Sequence, residues 1–388
     1  MTPLANAFLT GDQLDRMEPY FPLRALVCTR CFLVQLAQYE EPSAIFSNYI
    51  YFSSWSSGWV ARAAAFAAQA VVDLELDGRS TVVEVASNDG YLLQHFAKSG
   101  IAVLGVEPAA NVAEAAVARG IPTVTDFFGA RLAGELAGEH RADLLVGNNV
   151  VAHVPDLHDF VRGLKVLLAP TGVVSLEFPH LLRLIAHRQF DTIYHEHFSY
   201  FSLRTAIDVL ASEGLAVVDV EELDTHGGSL RVWARHAETA GAPGPRVAAV
   251  ADAERAAGLA TAVPYRRFAH EVAHEKRDIL KTLIALKEDG LTIAGYGAPA
   301  KGNTLLNYCG IGTDLVDFTV DISPHKQGLF LPGSHIPVKA PSALREARPD
   351  MVFVLPWNLE DEILGTLTHV RDWGGRFLVR RPPLTVVG

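Results

Sequence analysis

The chain has 388 residues, 49% hydrophobic and 20% charged, enough to bury a core in two or three domains and too apolar for a disordered tail. Its 33 Lys and Arg against 44 Asp and Glu leave a formal charge of −11, which excludes a nucleic-acid surface unless basic residues are gathered locally; the basic runs are only pairs such as Arg266-Arg267 and Arg380-Arg381. Three cysteines cannot build a disulfide framework and point to the cytoplasm, while residues 1–10 lack the basic and apolar blocks of a signal peptide and the Ala-rich stretch 60–72 carries Arg62 and Gln69, so neither secretion nor a membrane partner is expected.

The first sixty or so residues match neither of the patterns that follow and hold Pro22, the pair Cys28-Thr29-Arg30-Cys31 and an aromatic, Ser-rich run over 49–57. From about residue 80 to 235, short β-branched runs alternate with helical patterns, which predicts a parallel sheet with crossover helices. Strands are expected over 81–85, 103–107, 122–125, 143–147 and 172–178, with helices between them, among them 91–98 and 156–168, the latter ended by Pro170 and Gly172. The runs 216–222 and 229–235 flank Asp224-Thr225-His226-Gly227-Gly228, whose glycines suit a tight reversal, so an antiparallel hairpin is expected. A parallel sheet closed by such a hairpin is the layout of class I methyltransferases. Residues 237–257, rich in Ala, Gly and Pro, read as a connector into a long amphipathic helix over 265–288 capped by Gly290. Strand patterns at 292–295, 315–321, 351–355 and 377–379, with helical patterns at 300–308 and 360–370, then predict a second, smaller Rossmann-like α/β domain. The division is an N-terminal module 1–62, a central sheet domain 63–240 and a C-terminal α/β domain 241–388, with no internal repeat.

The first strand runs into Glu84-Val85-Ala86-Ser87-Asn88-Asp89-Gly90 and then a helix, so backbone N–H groups converge at the carboxyl edge of the sheet, where a ligand can be held. The turn lacks G-x-G-x-x-G, which disfavours a pyrophosphate. The carboxylate and amine of S-adenosylmethionine instead need donors together with acceptors such as Glu84 and Asp89. Glu107 ends the second strand, where a carboxylate can accept from both ribose hydroxyls. Asp126-Phe127 after the third offers an acceptor and an aromatic wall for an adenine, and Asn148-Asn149 ends the fourth. A lone acid at a strand end is ordinarily just solvated; several in order on successive strands are harder to dismiss.

The connector Phe190-Asp191-Thr192-Ile193-Tyr194-His195-Glu196-His197-Phe198-Ser199-Tyr200 is dense in polar and aromatic residues. An imidazole titrating near about 6.5 can act as a base at neutral pH, a carboxylate can orient it, and a tyrosine can donate to an oxyanion. A structural histidine satisfied by backbone, and a metal pair of His195 and His197 with His180 or Glu177, compete with that reading. His270-Glu271-Val272-Ala273-His274 on the long helix has the form of a zinc-protease motif, against a solvated helix face with no clear third ligand. In the C-terminal domain Gly295-Tyr296-Gly297-Ala298-Pro299-Ala300-Lys301-Gly302 joins a strand to a helix and permits backbone approach to a phosphate, with Lys301, His325 and Lys326 the nearest cations; solvated surface lysines are the alternative.

Taken together, Pro3-Leu4-Ala5-Asn6-Ala7-Phe8, Cys28-x-x-Cys31, Glu84-x-x-x-Asn88-Asp89-Gly90, Gly105-x-Glu107-Pro108, Thr125-Asp126-Phe127-Phe128, Tyr194-x-Glu196-His197-Phe198, His226-Gly227-Gly228, Gly295-Tyr296-Gly297-Ala298-x-Ala300-Lys301 and Pro356-Trp357-Asn358 resemble the S-adenosylmethionine-dependent sugar C-methyltransferases of deoxysugar and antibiotic biosynthesis, which act on nucleotide-linked 4-keto-deoxysugars. The resemblance covers nearly the whole chain and implies a zinc-binding-type N-terminal module, a central domain binding the methyl donor through Glu84, Asn88, Asp89, Gly90, Glu107, Asp126, Phe127 and Asn148, and a C-terminal domain that helps bind the sugar nucleotide through Gly297, Lys301 and Lys326. It implies that His197 removes the proton beside the keto group, with Glu196 and Tyr194 as neighbours, that methylation falls at carbon 3, and that Tyr51 lies close to the pocket. The family's zinc is held by four cysteines in two pairs; here Cys28 and Cys31 stand as one pair, so either a longer natural chain supplies the other or the pair is a vestige, and a vestigial pair with no stable zinc is expected. An oxidoreductase using the Gly295 loop for a nicotinamide cofactor and a non-catalytic sugar-nucleotide binding protein are the alternatives.

Overall fold

The run Thr81-Val82-Val83-Glu84-Val85 is built on three valines and is buried from Val82 to Val85, as in a strand covered on both faces. The computed structural model describes residues 1–46, 52–381 and 383–388. It divides into one unit of Leu26–Arg183 with His197–Thr261 and another of Met1–Ala25, Leu184–Glu196 and Ala262–Gly388.

The first unit carries β1 (Leu26–Val27), β2 (Val34–Gln35), β3 (Thr81–Val85), β4 (Ala102–Val106), β5 (Thr123–Val124), β6 (Ala142–Asn148), β7 (Leu168–Pro179), β8 (Ser199–Tyr200), β9 (Leu215–Leu223) and β10 (Ser229–His236). Seven of these form one sheet in the order β5-β4-β3-β6-β7-β10-β9, parallel except for β10, which runs against both β7 and β9. This is the class I methyltransferase sheet that the hairpin implied. Side chains alternate across it: Val82, Leu144 and Val146 pack with Phe66 and Phe96, while Val83, Val85 and Leu145 pack with Phe160, Leu164 and Phe178 on the other face. The Ala-rich stretch lies in the helix Ser57–Asp73, amphipathic through buried Ala63, Phe66, Ala67 and Ala70. A smaller sheet, β1-β2-β8, joins the Cys28–Cys31 turn to the residues after His197.

Two local expectations fail for readable reasons. The helix expected over 156–168 spans Leu157–Leu167, with Asp156 accepting from Asp159 N at 3.0 Å, but Pro170 and Gly172 do not separate it from a later strand. β7 begins at once at Leu168, and a register irregularity against β6 absorbs residues 169–172. The segment read as a connector contains the helix Pro245–Ala256; its Glu254 carboxylate accepts from Leu203 N at 2.5 Å and Arg204 N at 3.2 Å and meets His180 Nε2 at 2.8 Å, a tertiary anchor that composition does not announce.

The second unit carries β11 (Ile293–Tyr296), β12 (Phe318–Val320), β13 (Val338–Lys339), β14 (Met351–Val354), β15 (Arg376–Arg380) and β16 (Leu384–Val387), in the order β13-β12-β11-β14-β15-β16. Only β16 is antiparallel to its neighbour. The long helix Val263–Glu288 buries Val272, Glu275, Ile279 and Leu283, a stripe at helical spacing in which Glu275 is the one charged member. Within this unit residues 2–9 are laid along the α/β layers: Leu9 pairs with Phe330, and Asn303 Nδ2 donates to Ala5 O at 2.6 Å. Among the described residues no helix is long and apolar enough to cross a membrane.

Candidate active site

Where β3 ends, Ala86, Asn88 and Gly90 take positive φ of 56°, 50° and 76°, so the chain doubles back tightly before the helix Leu93–Lys98. A Cβ at Gly90 would stand 2.9 Å from Ile121 Cγ1, which makes glycine the residue for that position. The turn is held by its carboxylates. Glu107, just past β4, accepts from Asn88 N and Ala109 N, each at 2.9 Å. Asn88 Oδ1 accepts from Ser53 N at 2.8 Å, and Asp89 is bound by the Ser54 hydroxyl and by Arg119 Nη1 at 2.8 Å.

Glu84 stands apart from this scaffold. It is 1% exposed, and neither carboxylate oxygen has a hydrogen-bond partner among the described residues. Burial, then the charges of Glu107 and Asp89, hold its carboxyl well above the ordinary range. The Tyr91 hydroxyl is raised likewise, first by burial and then by Glu84, and meets the side chains of Asn148 and Trp59. Trp59 stacks beside Tyr91 at 6.3 Å between ring centroids and packs on His226 at 5.3 Å. Asn148 Oδ1, at the end of β6, is a second buried acceptor without a partner among the described residues. Buried unpaired acceptors are costly and need explaining; the amine and hydroxyls of an S-adenosylmethionine fit this donor-poor edge. Asp126 is half-buried, drawn below the ordinary range by its hydrogen bond from Arg131, and Phe127 beside it is 39% exposed.

His197 belongs to the same unit as that turn. Its position is fixed by backbone: Phe198 N donates to Ala152 O at 2.7 Å, and Phe198 O accepts from Leu36 N at 2.9 Å, with Ser199 and Tyr200 paired to β2. Ala152 lies in the short turn Val151–His153 that follows β6, and β6 is the direct neighbour of β3. The half-buried His197 ring meets His153 edge-on at 4.7 Å and Tyr200 at 6.0 Å. His153 was not anticipated; its only signal is that it lies five residues past Asn148 on the same strand edge.

The connector is divided, with 190–196 in the second unit. There Glu196 is 2% exposed, accepts from Asn6 Nδ2 at 2.6 Å, and is pushed up to about 7 by burial, against which Asn6 pulls it down. Tyr194 is half-buried. His195 turns Nε2 to Pro22 O at 3.2 Å and is lowered, first by burial. Asp191 accepts from Arg380 Nη1 at 2.9 Å and Trp357 Nε1 at 2.6 Å, and Arg380 Nε reaches Glu275 at 2.8 Å. Over the Trp357 ring, at 4.7 Å, lies the Lys301 ammonium, which donates to Asn358 Oδ1 at 2.8 Å and is lowered to about 8, chiefly by burial.

Gly297, at φ +88°, has room for no Cβ: Pro356 Cδ would be 2.7 Å away. The glycine loop is braced by Asp321, which accepts from Ala298 N at 2.7 Å and Ser323 N at 2.8 Å, and by Lys326, whose ammonium donates to Ala298 O at 2.9 Å. The carboxylate that would take a nicotinamide cofactor's ribose is thus engaged by the loop itself. His325 is exposed. Tyr51 lies outside the described residues.

For a metal the residues do not fit. Cys28 and Cys31 are a half-buried pair on the β1–β2 turn, two thiols are short of a four-ligand zinc site, and among the described residues no group of three or more His, Cys, Asp or Glu is gathered to hold an ion. His180 is bonded to Glu254, Glu177 to Thr225 and Arg231, and His270 and His274 are exposed on their helix. A depression of about 590 Å³ opens at the opposite, amino-terminal edge of the large sheet, lined by Asp77, Arg79, Asp143 and Arg235. Its charges are met internally, Arg79 by Asp77 at 2.7 Å and Asp143 by Thr81 N at 2.8 Å, and it is remote from the strand edge that bears the loops.

Several known proteins and family models are similar to this chain. The C-methyltransferase C-terminal domain matches residues 224–382, a methyltransferase domain matches 59–220 and a candidate zinc-binding domain matches 1–46. C-methyltransferase NovU of Streptomyces niveus is 39% identical over 388 residues, all of this chain and 92% of that protein. Among solved structures, magnesium protoporphyrin IX methyltransferase from Synechocystis with bound SAM is 15% identical, with 46% of this chain and 79% of that one covered at a TM-score of 0.36. The 1,6-didemethyltoxoflavin-N1-methyltransferase of Burkholderia thailandensis is 19% identical, with 47% and 80% covered at 0.36.

Proposed function

Since the chain belongs to the C-methyltransferase family and is an S-adenosylmethionine-dependent enzyme of that kind, we propose that it methylates a nucleotide-diphosphate-linked 4-keto-deoxysugar at carbon 3, with His197 as the base. The observation that carries the reading is the tie from Phe198 to Ala152, which sets His197 at the end of β6, beside the strand that bears the orphaned Glu84.

The donor is assigned to Glu84, Asn88, Asp89, Gly90, Glu107, Asp126, Phe127 and Asn148; when bound it supplies an electrophilic methyl group. Glu84 has the free acceptors for an ammonium, and Glu107 keeps acceptor positions beyond the two used by backbone. His197 takes the proton from the carbon beside the ketone, and the electron pair of that C–H bond moves into an enolate. A ketone α-proton is far less acidic than imidazolium, so the transfer needs donors at the developing oxyanion and exclusion of water. Tyr194 is assigned the first task and Glu196 the orientation of the base. Gly297 and Lys301 are assigned to the diphosphate, whose charge would restore a lysine held down by burial; Lys326 keeps the glycine turn in shape. Cysteines without a disulfide among the described residues support a cytoplasmic setting.

Incubating a panel of 4-keto sugar nucleotides with S-adenosylmethionine and looking for one added methyl by mass spectrometry tests the function. A methyl on carbon 3 of one member supports it, and methylation only of unrelated acceptors refutes it. Glu84→Gln is expected to weaken S-adenosylmethionine binding in calorimetry by about 1.5–3 kcal/mol, the value of a hydrogen bond to a charged group. Unchanged affinity would remove Glu84 from the cofactor site.

A further inference from the structure

The segment Pro3-Leu4-Ala5-Asn6-Ala7-Phe8 has no part in the chemistry described so far, yet backbone and side-chain contacts hold it in its unit. Ala5 is 5% exposed, and its carbonyl accepts from the side chain of Asn303, itself 1% exposed. Leu9 N and O both pair with Phe330, at 3.0 and 2.8 Å. Lys326 lies over the Phe8 ring at 5.5 Å. Held on both sides, Asn6 has little freedom, and its amide reaches Glu196 Oε1 at 2.6 Å across 190 residues of chain. An amide N–H can only donate, so this contact favours a carboxylate that accepts over a carboxylic acid that donates.

We propose that Asn6 is a positioning residue for methyl transfer: the N-terminal segment holds its side-chain amide against Glu196, so that the carboxylate is kept ionised and oriented next to the base in sequence. The proposal rests on the assignment of Glu196 as partner of His197. Burial puts Glu196 near 7, so around neutral pH the donor from Asn6 shifts how much of it is ionised. His195, its chain neighbour, is turned to Pro22 O.

The test compares the full chain with Asn6→Leu, Glu196→Gln and the double variant, with Asn6→Asp as a near-isosteric second probe should the Leu variant not fold. For methyl transfer, the acid limb of the kcat/KM profile is expected to move at least about one pH unit toward alkaline in Asn6→Leu and Asn6→Asp, roughly tenfold less activity at pH 7 with recovery at higher pH. A uniform fall at all pH, or an unmoved limb, overturns the proposal.

A thermal melt gives an arm that needs no substrate. A carboxyl raised by burial contributes stability that is full below its unfolded pKa and lost as pH rises through the folded one; removing the donor carries the loss to higher pH. The Tm gap between the full chain and Asn6→Leu is therefore expected to widen as pH rises above about 7, and to stay level with pH in the Glu196→Gln background. A gap that ignores pH, or widens equally in both backgrounds, overturns the pairing. Failure of every 4-keto sugar to be methylated by the unmodified protein would instead refute the substrate reading and leave the melting result to decide on Asn6.

Discussion

Replacing His197 by Ala is expected to abolish methyl transfer, a loss of about 10²–10⁴ in kcat and more if no water replaces the base, while S-adenosylmethionine still binds. The two effects are expected to separate because the turn after β3 is held by Glu107, Ser53, Ser54 and Arg119. The histidine in turn is fixed through the backbone of Phe198, which an alanine at 197 leaves in place. His153, packed edge-on against it, orients the ring. Equal loss of cofactor affinity and turnover would mean that the substitution disturbed the fold, and undiminished turnover would remove His197 from the mechanism.

Arg380→Met is expected to destabilise the protein by about 3–5 kcal/mol, because it leaves two buried carboxylates without their common partner. Asp191 is 0% and Glu275 2% exposed, and Arg380, 7% exposed, donates to both. It also donates to the Arg188 carbonyl and lies over the Phe190 ring at 4.7 Å. The same guanidinium therefore ties the start of the chemistry connector to β15 and to the long helix. Burial raises Glu275 above its ordinary value even with Arg380 present, so without it protonation becomes the cheaper state. The triple variant Arg380→Met, Asp191→Asn, Glu275→Gln is expected to recover most of the loss in a denaturant titration. A triple variant no more stable than the single one would show that the arginine acts through packing rather than charge.

The large sheet could be read in the sequence because its strands are short, apolar and separated by helices of ordinary length; the observed β3 has the expected range, and β4 and β6 differ from theirs by one residue at each end. The carboxylates at strand ends were readable for the same reason: once a parallel sheet is granted, Glu84 and Glu107 must emerge on one edge. What could not be read were partners fixed by tertiary packing. Asn6 and Glu196 are 190 residues apart, Asp191 and Arg380 are 189 apart, and nothing in local periodicity joins them. Arg380 stood out in the sequence only as half of a basic pair. Glu275 lies on the helix expected over 265–288, and its place in the stripe with Val272, Ile279 and Leu283 is a usable signal for a buried partner. His153 was missed because the reading of the fourth strand stopped at Asn149, one turn short of the residue that faces His197.

Proton exchange beside the ketone tests the central claim most directly. With S-adenosylhomocysteine in place of the methyl donor and a 4-keto sugar nucleotide in deuterated water, the unmodified protein is expected to place one deuterium on carbon 3, seen by mass spectrometry and NMR, and His197→Ala to place none. Deuterium entering at the same rate with both proteins would contradict the assignment of His197 as the base.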